Sequence, residues 1–381
     1  MIVPRNTSPV KGSTVLWIAA GFLLLVFGGL LIAELTPLLF PPQASAQAQQ
    51  VDDLFKFLLA VGAAIFLLVQ GVLVVAVVRF RARRGDRSDG APMHGNTTLE
   101  VVWTLIPAVI VLVITIYSFQ VWVNTTAARA DEQTVRATGA RFVWSFAYND
   151  PVNNITINSK ELHTYVGQPV RMEMSTDDSQ HAFWIPAMRI KQDLLPGRTT
   201  EVRFTPTRAG SYPIVCAELC GSGHGQMRAT IVVHPDEATY LSWFDDAVNT
   251  ALNPPADPVE RGRALLAAGV YPCSGCHVLD DLGWQGITGP SLNGVGDRAG
   301  RRVPGETAEE YLDRSIYFPG EYLVPGFGNL MPQFQPNDPN APNYMPPDDH
   351  FAIVAYLCTL TASGESACDL DNLERIVSEY R

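Results

Sequence analysis

The chain has 381 residues, a formal net charge of −11 and 17% charged residues, yet its mean hydropathy of +0.09 is high for a soluble protein. The apolar excess lies almost entirely before Val123, and the length suits two or three domains. From Asp257 to the end, 18 Asp plus Glu face 8 Arg and no Lys, a net of −10, which argues against nucleic acid as a partner. The six cysteines fall into three pairs, Cys216/Cys220, Cys273/Cys276 and Cys358/Cys368. The spacing of the first two suggests metal or cofactor chemistry. The third would close a short loop as a disulfide in an oxidising compartment.

Residues 15–40, 57–78 and 101–122 are each apolar over the ~20 residues a helix needs to cross a bilayer. Between the second and third lies RFRARRGDR, with Arg79, Arg81, Arg83, Arg84 and Arg87, and so basic a loop marks the cytoplasmic side. Residues 52–123 are therefore expected to form a helical hairpin, with everything after Val123 extracytoplasmic. Arg5 and Lys11 precede the first stretch, and ASA at Ala44 to Ala46 follows it. Residues 1–46 read as a signal peptide, with cleavage slightly favoured, or as an extra transmembrane segment. In HGNTTLEVVWTLIPAVIV, Glu100 sits at the cytoplasmic mouth of the third stretch, where an ionisable residue is costly enough to suggest a function.

From Gln133 to His234, β-branched and aromatic residues alternate between Gly, Pro, Asn and Asp turns. The spacing predicts an all-β sandwich or Greek-key barrel over 130–237. Within it, VCAELCGSGHGQM (Val215 to Met227) gathers Cys216, Cys220, His224 and Met227, and QHAFWIP supplies His181. Thiolate, imidazole and thioether together suit copper. A structural zinc would rarely recruit Met, and a disulfide would need no histidine. A single blue copper uses one Cys, whereas two Cys and two His suffice for two coppers bridged by both sulfurs.

Taken together, CAELCGSGHGQM, HAFWIP and GNTTLEVVWTLIP closely resemble subunit II of haem-copper cytochrome c oxidases. The resemblance covers roughly Asp52 to His234 and implies a cupredoxin-like domain with a binuclear CuA centre. Carried over, Cys216 and Cys220 bridge the coppers, His181 and Met227 complete one, and His224 with the Glu218 carbonyl completes the other. The Glu218 side chain would reach a magnesium ion at the contact with subunit I. Glu100 matches a residue at the mouth of a proton pathway, and Asp178 an acidic position near the subunit interface. Where the family usually has the tryptophan that takes electrons from soluble cytochrome c, this chain has Phe142, with Trp144 two residues on.

In the last third, CSGCH (Cys273 to His277) is the signature of covalent haem attachment, with zinc and a redox dithiol as alternatives. A helix-forming stretch leads into it, TGPSLNGVGDRAG follows, and NLMPQF supplies Met331 as distal ligand, with Met345 of NYMPPDD as competitor. The segment 259–362 resembles a class I cytochrome c, an all-α domain; 238–258 reads as a Pro-rich linker and 363–381 as a tail. His94, His163, His234 and His350 read as structural or solvated.

The expected fold is thus a multidomain membrane protein with a helical hairpin, an all-β cupredoxin-like Greek-key sandwich and an all-α cytochrome c domain, anchored in a bacterial plasma membrane. The resemblance implies electrons passing from a donor, such as a cytochrome c or a quinol-oxidising complex, to haem c, then CuA, then subunit I. There oxygen is reduced and protons are moved, with subunit III as a further partner. A CuA-containing subunit of a nitric oxide reductase and a free-standing membrane-anchored electron carrier are the alternatives.

Overall fold

The computed structural model describes residues 12–81, 85, 95–338, 341 and 343–381, with side chains from Ala20 onward. Arg5, Lys11, Arg83, Arg84, Arg87 and His94 lie outside the described residues. The chain divides into two compact units, 1–42 with 47–127, and 43–46 with 128–381.

The first unit is helical: α1 (Gly12–Leu35), α2 (Ala46–Phe80) and α3 (Thr97–Thr126). Among the described residues, three helices are long and apolar enough to cross a membrane. A Cβ on Gly29 of α1 would meet the Ala60 carbonyl oxygen of α2 at 2.6 Å, the close approach that small residues allow between membrane helices. Glu34 and Lys56 pair at 3.0 Å across the same two helices, and the rings of Phe57 and Tyr117 meet edge-on at 5.6 Å between α2 and α3. Helix α3 begins at Asn96, whose side chain accepts hydrogen bonds from the Thr98 and Leu99 amides. That satisfies two of the amides a helix start leaves without intrahelical partners.

The second unit opens with a sandwich of β1 (Gln133–Ala140), β2 (Val143–Asp150), β3 (Ile155–Ser159), β4 (Glu161–Tyr165), β5 (Val170–Ser175), β6 (His181–Ile185), β7 (Ile190–Leu194), β8 (Thr200–Phe204), β9 (Gly210–Cys216) and β10 (Arg228–His234). One sheet runs β3-β2-β1-β5-β8 and the other β4-β10-β9-β6-β7. Alternate residues point inward, as the period of a strand requires. Trp144, Phe146 and Tyr148 of β2 and Val170, Met172 and Met174 of β5 fill the space between the sheets.

Residues 43–46 belong to this unit. Ala44 donates its N–H to Ala187 O at 2.9 Å and accepts from Thr207 N–H at 2.9 Å, while the Ala46 N–H donates to Thr205 O at 3.0 Å. The Ser45 hydroxyl donates to Met188 O at 2.8 Å, and Ala44 is fully buried. The sequence reading of ASA as a peptidase site did not anticipate this strap, which a cut after Ala46 would remove.

The stretch 238–258, expected as a linker, is mostly the helix α4 (Glu237–Leu252). Its Trp243, Phe244, Ala247 and Val248 pack against the sandwich core, so only residues 253–257 connect it to α5. Beyond them the lobe is mainly helical: α5 (Pro258–Ala268), a two-stranded ribbon of β11 (Val278–Leu279) and β12 (Trp284–Gln285), α6 (Val295–Ala299), α7 (Ala308–Tyr317), α8 (Pro347–Cys358) and α9 (Leu370–Ser378). Helices α5 and α8 cross so closely that a Cβ on Gly262 would overlap the Ala352 carbonyl. The expected tail is not loose: α9 buries Leu373 and Val377 in the lobe's core, and a Cys358–Cys368 disulfide ties its approach to α8. His350, placed in a turn or strand end and read as structural or solvated, is instead in the first turn of α8 and fully buried, with its Nε2 2.9 Å from Asp313.

Candidate metal centre and thiol motif

The end of β9 delivers Cys216, and the loop that follows returns through a short 3-10 turn at His224–Gln226 into β10. The Cys216 N–H donates to Met227 O at 3.1 Å and the Ala217 N–H to Ala182 O at 2.9 Å. Those two bonds clamp the loop's ends and set it beside β6, which begins at His181.

The potential ligands meet there. The Sγ atoms of Cys216 and Cys220 are 3.9 Å apart. His181 Nδ1 lies 4.0 Å from Cys216 Sγ, His224 Nδ1 lies 3.7 Å from Cys220 Sγ, and Met227 Sδ lies 3.9 Å from Cys220 Sγ. The Glu218 carbonyl approaches Cys216 Sγ at 3.2 Å. His181 and Met227 are fully buried. All six residues singled out from the sequence therefore come together.

Electrostatics within the cluster favour a cation. Burial pushes the Cys216 thiol up, but the His181 imidazole and neighbouring backbone N–H groups outweigh it and bring the thiol down to about 6. Burial, then the charge on Cys216, drive Cys220 up to about 12. Two thiolates this close do not share a site unless positive charge joins them, and bound metal ions deprotonate coordinating thiols. Burial lowers the His181 imidazole, but Asp178 and Cys216 raise it to about 9. The Asp178 carboxylate takes the His181 Nε2 side at 2.8 Å, leaving Nδ1 towards the sulfurs, the orienting arrangement metal-bound histidines use. Asp178 also accepts from the Arg141 N–H at 2.7 Å, so it is an internal anchor of the cluster. Trp144 is buried, its ring edge-on to Phe183 at 5.4 Å and to His181 at 6.1 Å.

The second motif forms a 3-10 turn, Pro272–Gly275, ahead of β11. Cys273 and Cys276 are free thiols, and His277 Nδ1 bonds to Pro290 O at 2.7 Å, which leaves Nε2 as the available ligand atom. Burial lowers the imidazole's pKa, so it is neutral at neutral pH, as ligation requires. Burial also pushes the Cys273 thiol up to about 12, the opposite of the low pKa of a redox dithiol. The Thr288 side chain is hydrogen-bonded to the Cys276 thiol, whereas Trp284 Nε1, close by in sequence, is a buried polar atom with no hydrogen-bond partner among the described residues. Such orphans are uncommon and invite a bound group. Met331 and Cys273 pack against the same core, to which Met345 belongs outright.

Glu100 stands in the first turn of α3 and accepts a hydrogen bond from the Asn96 N–H at 3.2 Å, a capping contact. The two hydrogen bonds of Asp178, to His181 and Arg141, and the buried Trp284 Nε1 were not legible beforehand, since their signal is spatial.

Residues 33–121 match the family model for the cytochrome c oxidase subunit II transmembrane domain, and residues 161–234 that for its periplasmic domain. The chain is 36% identical over 277 residues to cytochrome c oxidase subunit 2 of Synechocystis sp., covering 60% of this chain and 80% of the relative. The same subunit of Alkalihalophilus pseudofirmus is 26% identical over 325 residues, 82% of this chain and 88% of the relative, a match long enough to reach into the C-terminal lobe. Among solved structures, the periplasmic domain of subunit II (CoxB) of Bradyrhizobium japonicum is similar at 28% identity and a TM-score of 0.30, covering 32% of this chain and 99% of that one.

Proposed function

The chain belongs to the cytochrome c oxidase subunit II family, and from that premise we propose that it takes in electrons through a haem bound covalently to its own C-terminal lobe and passes them to a binuclear copper centre. As subunit II of a haem-copper oxidase it is anchored in a membrane by apolar helices, carries a periplasmic copper domain, and works with subunit I. Its relatives are named oxidase subunits, which favours this reading over a nitric oxide reductase.

The observation that carries the copper reading is the convergence of Cys216, Cys220, His224 and Met227 of one loop with His181 at the start of β6, each neighbouring pair of ligand atoms at 4.0 Å or less. Cys216 and Cys220 would bridge the ions, His181 and Met227 would complete one, and His224 with the Glu218 carbonyl the other. Bound there, the pair supplies one-electron transfer. The chain's part is to fix the ligands by the β9–β10 clamp, orient His181 through Asp178 and exclude water with the sandwich core. A rigid donor set changes little between redox states, which keeps the barrier to electron exchange small.

For haem, Cys273 and Cys276 would form the two thioether links, and His277 Nε2 and Met331 Sδ the axial bonds, a ligand pair that raises the potential. Support comes from the two thiols, which form no disulfide, the Pro290-oriented imidazole and the buried Trp284 Nε1, which has no hydrogen-bond partner among the described residues. Glu218 would offer its carboxylate to magnesium at the subunit I contact. Glu100 would serve a proton path, subunit III would complete the complex, and the membrane would be the bacterial plasma membrane. The reading is tested by absorption and electron paramagnetic resonance spectra of the chain purified from its native membrane. A low-spin haem c and an unpaired electron shared by two copper nuclei are expected; a lone zinc, or no thioether-linked haem, would overturn it.

A further inference from the structure

We propose that the CSGCH turn is docked in a fixed position on the copper-loop face of the sandwich, with Arg141 and Phe142 as the joint that couples the two redox sites. The redox meaning rests on the haem reading above; the contact stands without it. A haem domain held only by a flexible connector would meet the copper site at an effective concentration of ~mM. The observations point instead to one permanently assembled surface.

Arg141 and Phe142 form the turn between β1 and β2. Phe142 is 3% exposed and is covered on two sides. Its ring lies on the copper loop: a Cβ on Gly223 would come 2.3 Å from its Cδ2, and one on Gly221 3.1 Å from its Cε1. Its backbone lies against the other motif, where a Cβ on Gly275 would come 2.8 Å from Phe142 N. Only hydrogen fits at Gly223 and at Gly275, so the two loops are separated by the thickness of one residue.

Beside the ring runs a second connection. Cys276 Sγ lies 3.7 Å from Arg141 O, the Arg141 N–H donates to Asp178 Oδ2 at 2.7 Å, and Asp178 Oδ1 is 2.8 Å from His181 Nε2. A thiol of one motif is thus joined to a ligand of the other through the backbone of one residue, Arg141, and one carboxylate. Further off, a Cβ on Gly269 at the end of α5 would meet Lys160 Cβ at 3.0 Å. Two separate points of contact fix an orientation where one would permit rotation. Helix α4, packed on the sandwich, leaves only 253–257 as free connector.

The test compares the full chain with two variants, one with about ten Gly and Ser residues inserted at 253–257 and one with Gly275→Val. Amide deuterium uptake is followed in peptides covering Arg141–Phe142 and Cys276–His277, and electron transfer between haem and copper is timed by flash photolysis. Fixed docking predicts that the longer connector leaves both uptake and rate within about twofold of the parent. It also predicts that Gly275→Val deprotects both peptides together while peptides of β5 stay protected. A several-fold loss of rate and of protection on lengthening, as a tether predicts, or unchanged protection in Gly275→Val, would overturn the proposal. Absorption and resonance spectra on the same samples keep the outcomes apart. A chain lacking haem refutes the haem reading, while uptake still reports on the contact.

Discussion

The imidazole of His163 lies flat on the indole of Trp243, ring centroids 3.8 Å apart and planes 10° from parallel. His163 is central in β4, and its Nδ1 is 3.1 Å from His234 Nε2 at the end of β10, so two histidines share one wall beneath α4. Burial, with the neighbouring His234, lowers His163 from 6.5 to about 4. Burial also lowers His234, against a smaller opposing pull from Asp236, and Glu161 faces His163 Nε2 at 3.8 Å.

Because the folded pKa lies below the unfolded one, acid loads protons onto the unfolded chain first. The stabilisation is complete above about pH 6.5 and is lost as the pH falls towards about 4. The thermal midpoint of the sandwich is expected to be lower at pH 5 than at pH 7.5. His163→Phe, which keeps the stack on Trp243, should flatten that dependence; an unchanged slope would place its origin elsewhere.

Replacing Cys216 and Cys220 together by Ser removes both sulfurs within 4.0 Å of the histidines. Copper retention and the binuclear resonance signal should disappear, while the haem absorbance stays. Persistence of the signal would contradict the ligand assignment.

The two methionines should separate cleanly. Met345 is 1% exposed, with its N–H on Gln335 O and its carbonyl held by the Tyr317 hydroxyl. Met345→Ala is expected to cost about 2–5 kcal/mol in stability and to leave the haem spectrum intact. Met331→Ala should alter the spectrum and cost less stability. The reverse pattern would make Met345 the ligand.

Mass spectrometry of the mature chain should find Ala44 to Ala46 still present. Three backbone hydrogen bonds and the Ser45 hydroxyl bind this segment to the sandwich. A mature N-terminus at Gln47 would refute that expectation.

Reducing the Cys358–Cys368 disulfide, which spans 10 residues, should destabilise the C-terminal lobe by about 2–3 kcal/mol, the scale for a short closed loop. Denaturant titration with and without reductant measures it, and no change would mean that packing of Leu373 and Val377 alone holds α9 in place.

The candidate metal cluster could be picked out because Cys216, Glu218, Cys220, His224 and Met227 lie within twelve residues and only His181 is distant. The strand pattern was likewise readable, since inward residues recur at every second position of β1, β2 and β5. Contacts formed by remote residues were not. His163 and His234 are 71 residues apart and meet through the parallel pairing of β4 and β10. Cys276 and Arg141 are 135 apart. Helix α4 was hidden by the Pro-rich run that follows it, although the spacing of Tyr240, Trp243, Phe244, Ala247 and Val248 is that of one helix face.

The strap at Ala44–Ala46 also imposes a timetable on biosynthesis. Ser45 leaves the ribosome 143 residues ahead of Met188, the carbonyl it binds, and two apolar helices are made in between. The sandwich therefore closes late, on a segment synthesised before α2 and α3. A soluble fragment beginning at Val123 would leave the Ala187 and Thr205 carbonyls open to water, so supplying the missing peptide in trans should tighten it.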